Sequence, residues 1–133
     1  MTDVRAEVGA ALPLTVEGMD VLDPFVSIYG SGWSLGVNCD WKLSRGDEIA
    51  VTSESDEEDI TRAFEALIGK AVVDVEVDDG LFDPTFGFDS GERLTVVADT
   101  DLDPWVFKAE QFSQTLVGRG PEGHKEWLGQ HSV

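Results

Sequence analysis

The sequence predicts a mainly β, α+β fold: an antiparallel sheet or partly open barrel built from two diverged β-meander repeats with one helix between them. Three observations predict it. The run "GWSLGVNCDWKL", residues 32–43, alternates without a break and places Trp33, Leu35, Val37, Cys39, Trp41 and Leu43 on one side. The segment "SESDEEDITRAFEALIGK" switches to helical spacing. The stretches on either side of it can be laid on each other as two copies of one unit.

Taken in order, residues 1–11 hold no sustained period and read as a loose arm or a short helix. "LPLTVEGMDV" (12–21) alternates weakly, "PFVSIYG" is a second short strand, and "GSG" is a turn that opens the long alternating run. "DEIAVT" (47–52) adds a further strand. The helix starts with Ser55 and Glu58 in capping-box spacing and acids in its first turn. It continues through Ile60, Phe64, Leu67 and Ile68 and stops at Gly69. Alternation then returns at Val73, Val75 and Val77, at Phe82, Phe86 and Phe88, at Leu94, Val96 and Ala98, and at Trp105 and Phe107. A last short strand is expected over Thr115–Val117, and the polar tail frays unless Trp127 docks it. Residues 1–133 read as a single domain: a first β unit over 12–52, the helix over 55–69, a second β unit over 70–117 and a tail over 118–133.

In the repeat, "VEGMDV" lies on "VVDVEV", "SIYGSGWSLGVNCD" on "FGFDSGERLTVVAD", and "WKL" on "WVF". Tyr29 falls on Phe88, Leu35 on Leu94, Val37 on Val96 and Trp41 on Trp105. A tryptophan kept at the same place in both copies is expected in the core. Trp33 differs, because its counterpart is Glu92, a residue expected to face solvent. Alternation with Leu35 points Trp33 inward, whereas its place directly after "GSG" puts it at a strand mouth. If exposed beside Tyr29, it is the best aromatic candidate for a binding hot spot.

The charge is the most unusual feature of the composition: 27 acidic against nine basic residues, a net −18. Such a field repels nucleic acid and anionic membrane and favours a basic protein partner, although an acidic surface also raises solubility without any partner. The basic residues are scattered singly and form no stripe. The first residues carry Asp3 and Glu7 and no long apolar run, so a cytoplasmic protein without a membrane span is expected. The lone Cys39 forbids an internal disulfide.

Catalytic patterns are thin, and no enzyme is expected. His124 and His131 both lie in the tail, Cys39 has acidic Asp40 beside it, and no phosphate-binding loop is present. Paired-carboxylate hydrolysis is the least implausible reaction class in a chain so rich in acids. "DTDLDPWVFKAE" sets Asp99, Asp101, Asp103 and Glu110 at positions 1, 3, 5 and 12 of a calcium loop. Pro104 stands where that loop needs glycine, and the flanks are strands, so a solvated acidic turn is the stronger reading and no cofactor is expected.

"LIGKAVVDVEVDD", "FGFDSGERLTVVAD" and "DPWVFKA" together resemble small uncharacterised bacterial proteins, some similar to immunity proteins of polymorphic toxin systems. The resemblance covers about residues 67–109 with a weaker echo over 16–43, and it implies no catalytic residue. It implies a toxin-neutralising, protein-binding role, for which the acidic stretches 47–59 and 74–92, including Asp56, Glu57, Asp78 and Asp79, are the expected contact surfaces. Two alternatives stand beside it. One is a small-molecule-binding barrel lined by Tyr29, Trp33, Phe86 and Phe88. The other is a structural domain whose acidity has no partner. A homodimer through an exposed strand edge is also compatible with two acidic units.

Overall fold

The computed structural model describes residues 4–22, 25–77 and 80–131. In chain order the first unit contains helix α1 (Val4–Ala11) and strands β1 (Leu14–Thr15), β2 (Gly18–Leu22), β3 (Phe25–Gly30), β4 (Trp33–Val37), β5 (Asp40–Arg45) and β6 (Glu48–Thr52). The second contains helix α2 (Glu57–Glu65) and strands β7 (Ala71–Glu76), β8 (Thr85–Phe88), β9 (Glu92–Val97), β10 (Trp105–Ala109) and β11 (Leu116–Val117), followed by helix α3 (Pro121–His131).

Among the described residues all strand pairs are antiparallel and form two sheets, in the orders β1-β7-β8-β9-β5-β6 and β11-β10-β4-β3-β2, with no closed barrel. Each sheet starts from the three-stranded meander of one unit. Each then takes two strands from the other unit, β5 and β6 in one sheet and β10 and β11 in the other, and the six-stranded sheet also takes β1 on its far edge. The chain leaves β4 and sends β5 to pair with β9, and it leaves β9 and sends β10 to pair with β4. The exchange is reciprocal and keeps equivalent registers. Trp41 lies opposite Val96 and Leu43 opposite Leu94, while Trp105 lies opposite Val37 and Phe107 opposite Leu35. These are the positions that the repeat alignment equates.

The helices cross over as well. α2 precedes β7 but packs against β2 and β6, the outer strands of the two sheets, and α1 precedes β2 but packs against β7. Glu7 on α1 also accepts hydrogen bonds from the backbone N–H and hydroxyl of Ser113, just before β11. The sequence showed one helix of sustained period between two copies, whereas the described residues hold three helices, of which the first two each open a copy. "VRAEVGAA" forms the short helix that was one of the two readings of residues 1–11, and its Val8 and Ala11 are buried. In the tail, "PEGHKEWLGQH" carries two glycines, and tertiary contacts hold it in a helix. Phe82 stacks on His124 and His124 on Trp127, which docks the tail.

Several local expectations shift for identifiable reasons. The weak run 12–21 splits because Val16 exchanges backbone hydrogen bonds with Gly69 and Lys70, whereas Glu17 donates to Tyr29. The chain changes sheets between those two residues. A bulge at Val73 turns that side chain outward and puts Val72 in the core instead. Asp56, without a side-chain bond, occupies the N-cap position of α2, while the Ser55 hydroxyl accepts the Thr52 N–H. Ile68 lies past the end of the helix and is exposed.

Trp41 and Trp105 are fully buried, as expected of duplicated core residues. Trp41 meets Phe64 edge-on at 5.1 Å, Phe86 meets Phe107 at 5.3 Å, and the Trp105 indole N–H donates to the Phe82 carbonyl at 2.8 Å. Glu92, expected in solvent, is only 6% exposed. It faces Arg45 across the β5–β9 ladder and accepts from the guanidinium at 2.6 Å and from the Ser90 hydroxyl. Burial alone would push its carboxyl up, but the bonds from Ser90 and Arg45 outweigh this and hold it below the ordinary 4.5.

Candidate functional site

The two reciprocal chain crossings, β4 to β5 and β9 to β10, are tied together at one end of the two sheets. The β4–β5 connection is Asn38 and Cys39, and the β9–β10 connection is residues 98–104. The two are tied directly. The Asn38 N–H donates to the Pro104 carbonyl at 2.8 Å, its Nδ2 donates to the Asp103 carbonyl at 3.4 Å, and the Asp40 N–H donates to Asp99 Oδ1 at 3.3 Å. The Ser53 hydroxyl donates to Asp40 Oδ1 and accepts the Trp41 N–H, and Asp83 Oδ1 accepts the Ala98 N–H at 2.8 Å. Short acidic side chains thus satisfy the backbone groups that the crossing removes from the ladders.

The longer connection bulges outward. The Thr100 hydroxyl accepts the Leu102 N–H at 3.2 Å, and Asp103 takes a φ of 45°. Leu102 is left 83% exposed. Across the crossing, Leu22 and Phe25 flank the β2–β3 connection at 77% and 44% exposure. Phe25 and Asn38 border two adjoining hollows of about 690 and 90 Å3. Leu102 lies on the larger and Leu22 on the smaller. Their walls include Asp20, Asp40, Glu54 and Asp99, and no Lys or Arg is among the lining residues. Large apolar side chains left in water thus share these hollows with four acidic residues, and exposed apolar surface rimmed by polar groups is typical of interaction sites.

Cys39 forms part of the floor and is itself buried. Desolvation first, then the carboxylates of Asp99, Asp40 and Asp83, push its thiol up to about 12. It serves as a small hydrophobe, not as a nucleophile at neutral pH.

The residues singled out from the sequence are dispersed. Trp33 is 5% exposed, and its indole N–H is spent on the Thr15 carbonyl at 2.9 Å, so it offers no exposed hot spot. Tyr29 is partly exposed, but its ring lies over Gly18 on the neighbouring strand, where any Cβ would strike it. Phe86 and Phe88 fill the core, so the four aromatics do not line a common pocket. Asp56 and Glu57 are exposed at the N-terminus of α2. Asp78 and Asp79 lie outside the described residues.

The four calcium-loop acids do not converge. Asp99 holds the Asp40 N–H, and Asp101 Oδ1 accepts the N–H groups of Glu122 and Gly123 at 3.1 Å each, which caps α3 from a distance. Glu110 follows the extended strand β10, seven residues beyond Asp103 or roughly 20 Å at about 3.3 Å per residue. Among the described residues no group of three or more His, Cys, Asp or Glu side chains is arranged to hold a metal ion. No helix among them is long and apolar enough to cross a membrane.

A second concavity of about 470 Å3 lies between α2 and the β5–β6 hairpin, floored by Leu43, Val51 and Leu67. Arg45 and Arg62 reach its rim, but Arg45 is paired with Glu92, and Arg62 with Glu58 at 3.2 Å and Asp59 at 3.7 Å.

The sequence reading missed Leu22, Phe25 and Leu102. A signal was present in "LDPF" (22–25) and "LDPW" (102–105), where a large apolar residue precedes an Asp-Pro pair, a dipeptide that favours a turn. Leu22 and Phe25 are paired across β2 and β3 on the side opposite buried Val26, and Leu102 precedes β10 outside any strand. No protein-family model, no curated protein and no solved structure matches this chain.

Proposed function

We propose that the protein is a non-enzymatic, acidic interaction module for a basic protein partner, of the kind that neutralises a toxin. The observation that carries this reading is the net charge of −18. Arg45, Arg62 and Arg93 are already engaged with Glu92, with Glu58 and Asp59, and with Glu76, and the net −18 is what remains after all nine basic residues are counted. A partner that attacks nucleic acid carries a basic active face, and an acidic antidote is drawn to that face by long-range attraction before any contact forms. Polyanions and a second copy of this chain are repelled by the same field, which disfavours nucleic acid, anionic membrane and a homodimer.

The test is a capture experiment with tagged protein in a lysate of its own host at low and moderate salt, followed by association kinetics with the purified candidate. The expected result is a basic protein released by salt. Its association rate falls steeply as ionic strength rises and slows further with Glu54→Lys or Asp56→Lys. An association rate indifferent both to salt and to every such reversal refutes the reading.

A further inference from the structure

We infer that the strand-crossing end is the docking site and that its occupant is a basic segment bearing one large apolar side chain, which covers Leu22, Phe25 and Leu102. The inference rests on the interaction-module reading and adds the place and the chemistry of the contact. Water-exposed Leu102 and Leu22 each leave most of a leucine side chain to be buried, and Phe25 and Asn38 join the two hollows into one surface. An apolar anchor entering the larger hollow meets the Phe25 ring and the side chain of Leu102.

Lysines or arginines on either side of that anchor fall against Asp20 beside the smaller hollow and against Asp40, Glu54 and Asp99 beside the larger one. Charge complementarity selects this occupant over a second copy of the chain, which would bring another −18 to the same surface. It also divides the roles: the acids govern the association rate, and the apolar group governs the residence time.

The site spans both chain crossings, because Asn38 and Cys39 come from one and Asp99, Thr100 and Leu102 from the other. Occupation therefore bridges the two units at the point where they exchange strands. Bound and free protein should differ in amide exchange at residues 38–40 and 98–104 on both connections together.

The experiment uses the whole protein, labelled for backbone and methyl NMR, and three synthetic peptides. The first is a lysine-glycine undecapeptide with one central tryptophan, the second has alanine at that place, and the third has glutamate for every lysine. The expected result is that the first peptide shifts the Leu22 and Leu102 methyl signals and the Asn38 amide. It should bind at least about tenfold more tightly than the alanine peptide, a difference of about 1.4 kcal/mol. Leu102→Ala, a change at an exposed side chain, should remove most of that difference while leaving the rest of the spectrum in place.

Equal binding of the two lysine peptides, or shifts confined to the α2–β6 concavity, overturns the docking site while leaving the charge-based reading standing. Binding of the glutamate peptide as tight as that of the lysine peptides, or no shift with any peptide at millimolar concentration, overturns both. Concentration-dependent self-association that disappears in Leu102→Ala assigns the surface to a second copy and refutes the basic occupant.

Discussion

Replacing Trp105 by Phe tests whether the exchanged strands weld the two sheets into one cooperative unit. Trp105 is fully buried on β10, opposite Val37, and its indole N–H satisfies the Phe82 carbonyl at 2.8 Å. The substitution keeps an aromatic ring but leaves that carbonyl without its donor, at a cost of about 1–3 kcal/mol. The smaller ring forfeits roughly another 1–2 kcal/mol of burial. A total of about 3 kcal/mol, at roughly 3–4 °C per kcal/mol for a chain of this size, lowers Tm by about 10 °C. Trp105 belongs by sequence to the second unit and by pairing to the first unit's sheet, so the loss should be felt in both. Urea denaturation should remain a single transition with a lower midpoint, and amide exchange should accelerate in β3 and β4 and in β8 and β9 alike. Two transitions, or loss of protection confined to the sheet that holds β10, would show that the sheets are energetically independent and that the exchange carries no coupling.

Four further outcomes follow from particular contacts. Arg45→Met leaves the buried Glu92 carboxylate with Ser90 but without its cation; because the Arg45 side chain is 71% exposed and water replaces it in part, the cost at pH 7 is about 1–2 kcal/mol and not the 3–5 of a fully buried pair. Glu92 is held below its ordinary value, so the stability it supplies is complete above about 4.5 and is lost as pH falls through its lower folded-state value; the penalty of Arg45→Met in urea titrations should shrink over that range, and a penalty constant from pH 7 to pH 3 would refute the pairing. Asp101→Ala removes the acceptor for two N–H groups at the start of α3 and should speed amide exchange over residues 121–131 by a factor corresponding to about 1 kcal/mol, with the core unchanged. Cys39 should resist a thiol reagent at pH 8 until the protein is unfolded, since its thiol is buried and pushed up to about 12; rapid labelling of native protein would contradict that environment. Gly30→Ala should destabilise by about 1–3 kcal/mol and red-shift tryptophan emission, because the new methyl would overlap the Thr15 carbonyl oxygen and the Trp33 indole nitrogen where those two groups are bonded.

Of the candidate site, little was legible. Its floor and walls come from residues 20, 22, 25–27, 36, 38–40, 53–54, 99–100 and 102, which are scattered in sequence and share no periodicity. The acids of the supposed calcium loop were visible as a spacing, but extended β10 carries Glu110 away from the other three and α3 claims Asp101. Glu92 reversed the expectation of a solvent-facing residue, whereas Trp33 lies on the inward side to which its alternation with Leu35 pointed. A neighbouring carbonyl satisfies the indole N–H, and a cross-strand arginine and a serine satisfy the carboxylate, so each can be buried at low cost.

By itself the sequence determined which segments are strands, which faces of them are apolar, where α2 lies and, through the repeat, which residues are equivalent. Side-chain alternation has a period of two and records burial on one face, and a duplicated unit must bury its tryptophan in the same way twice. Only the tertiary structure decided which strand each neighbour pairs with. Backbone hydrogen bonds at a strand edge are the same whichever strand supplies them, so nothing in "WKL" or "WVF" says that each will join the other copy's sheet. That choice brings the two crossings together at one end, with Leu102 in water on one of them and Leu22 and Phe25 in water on the neighbouring strands β2 and β3.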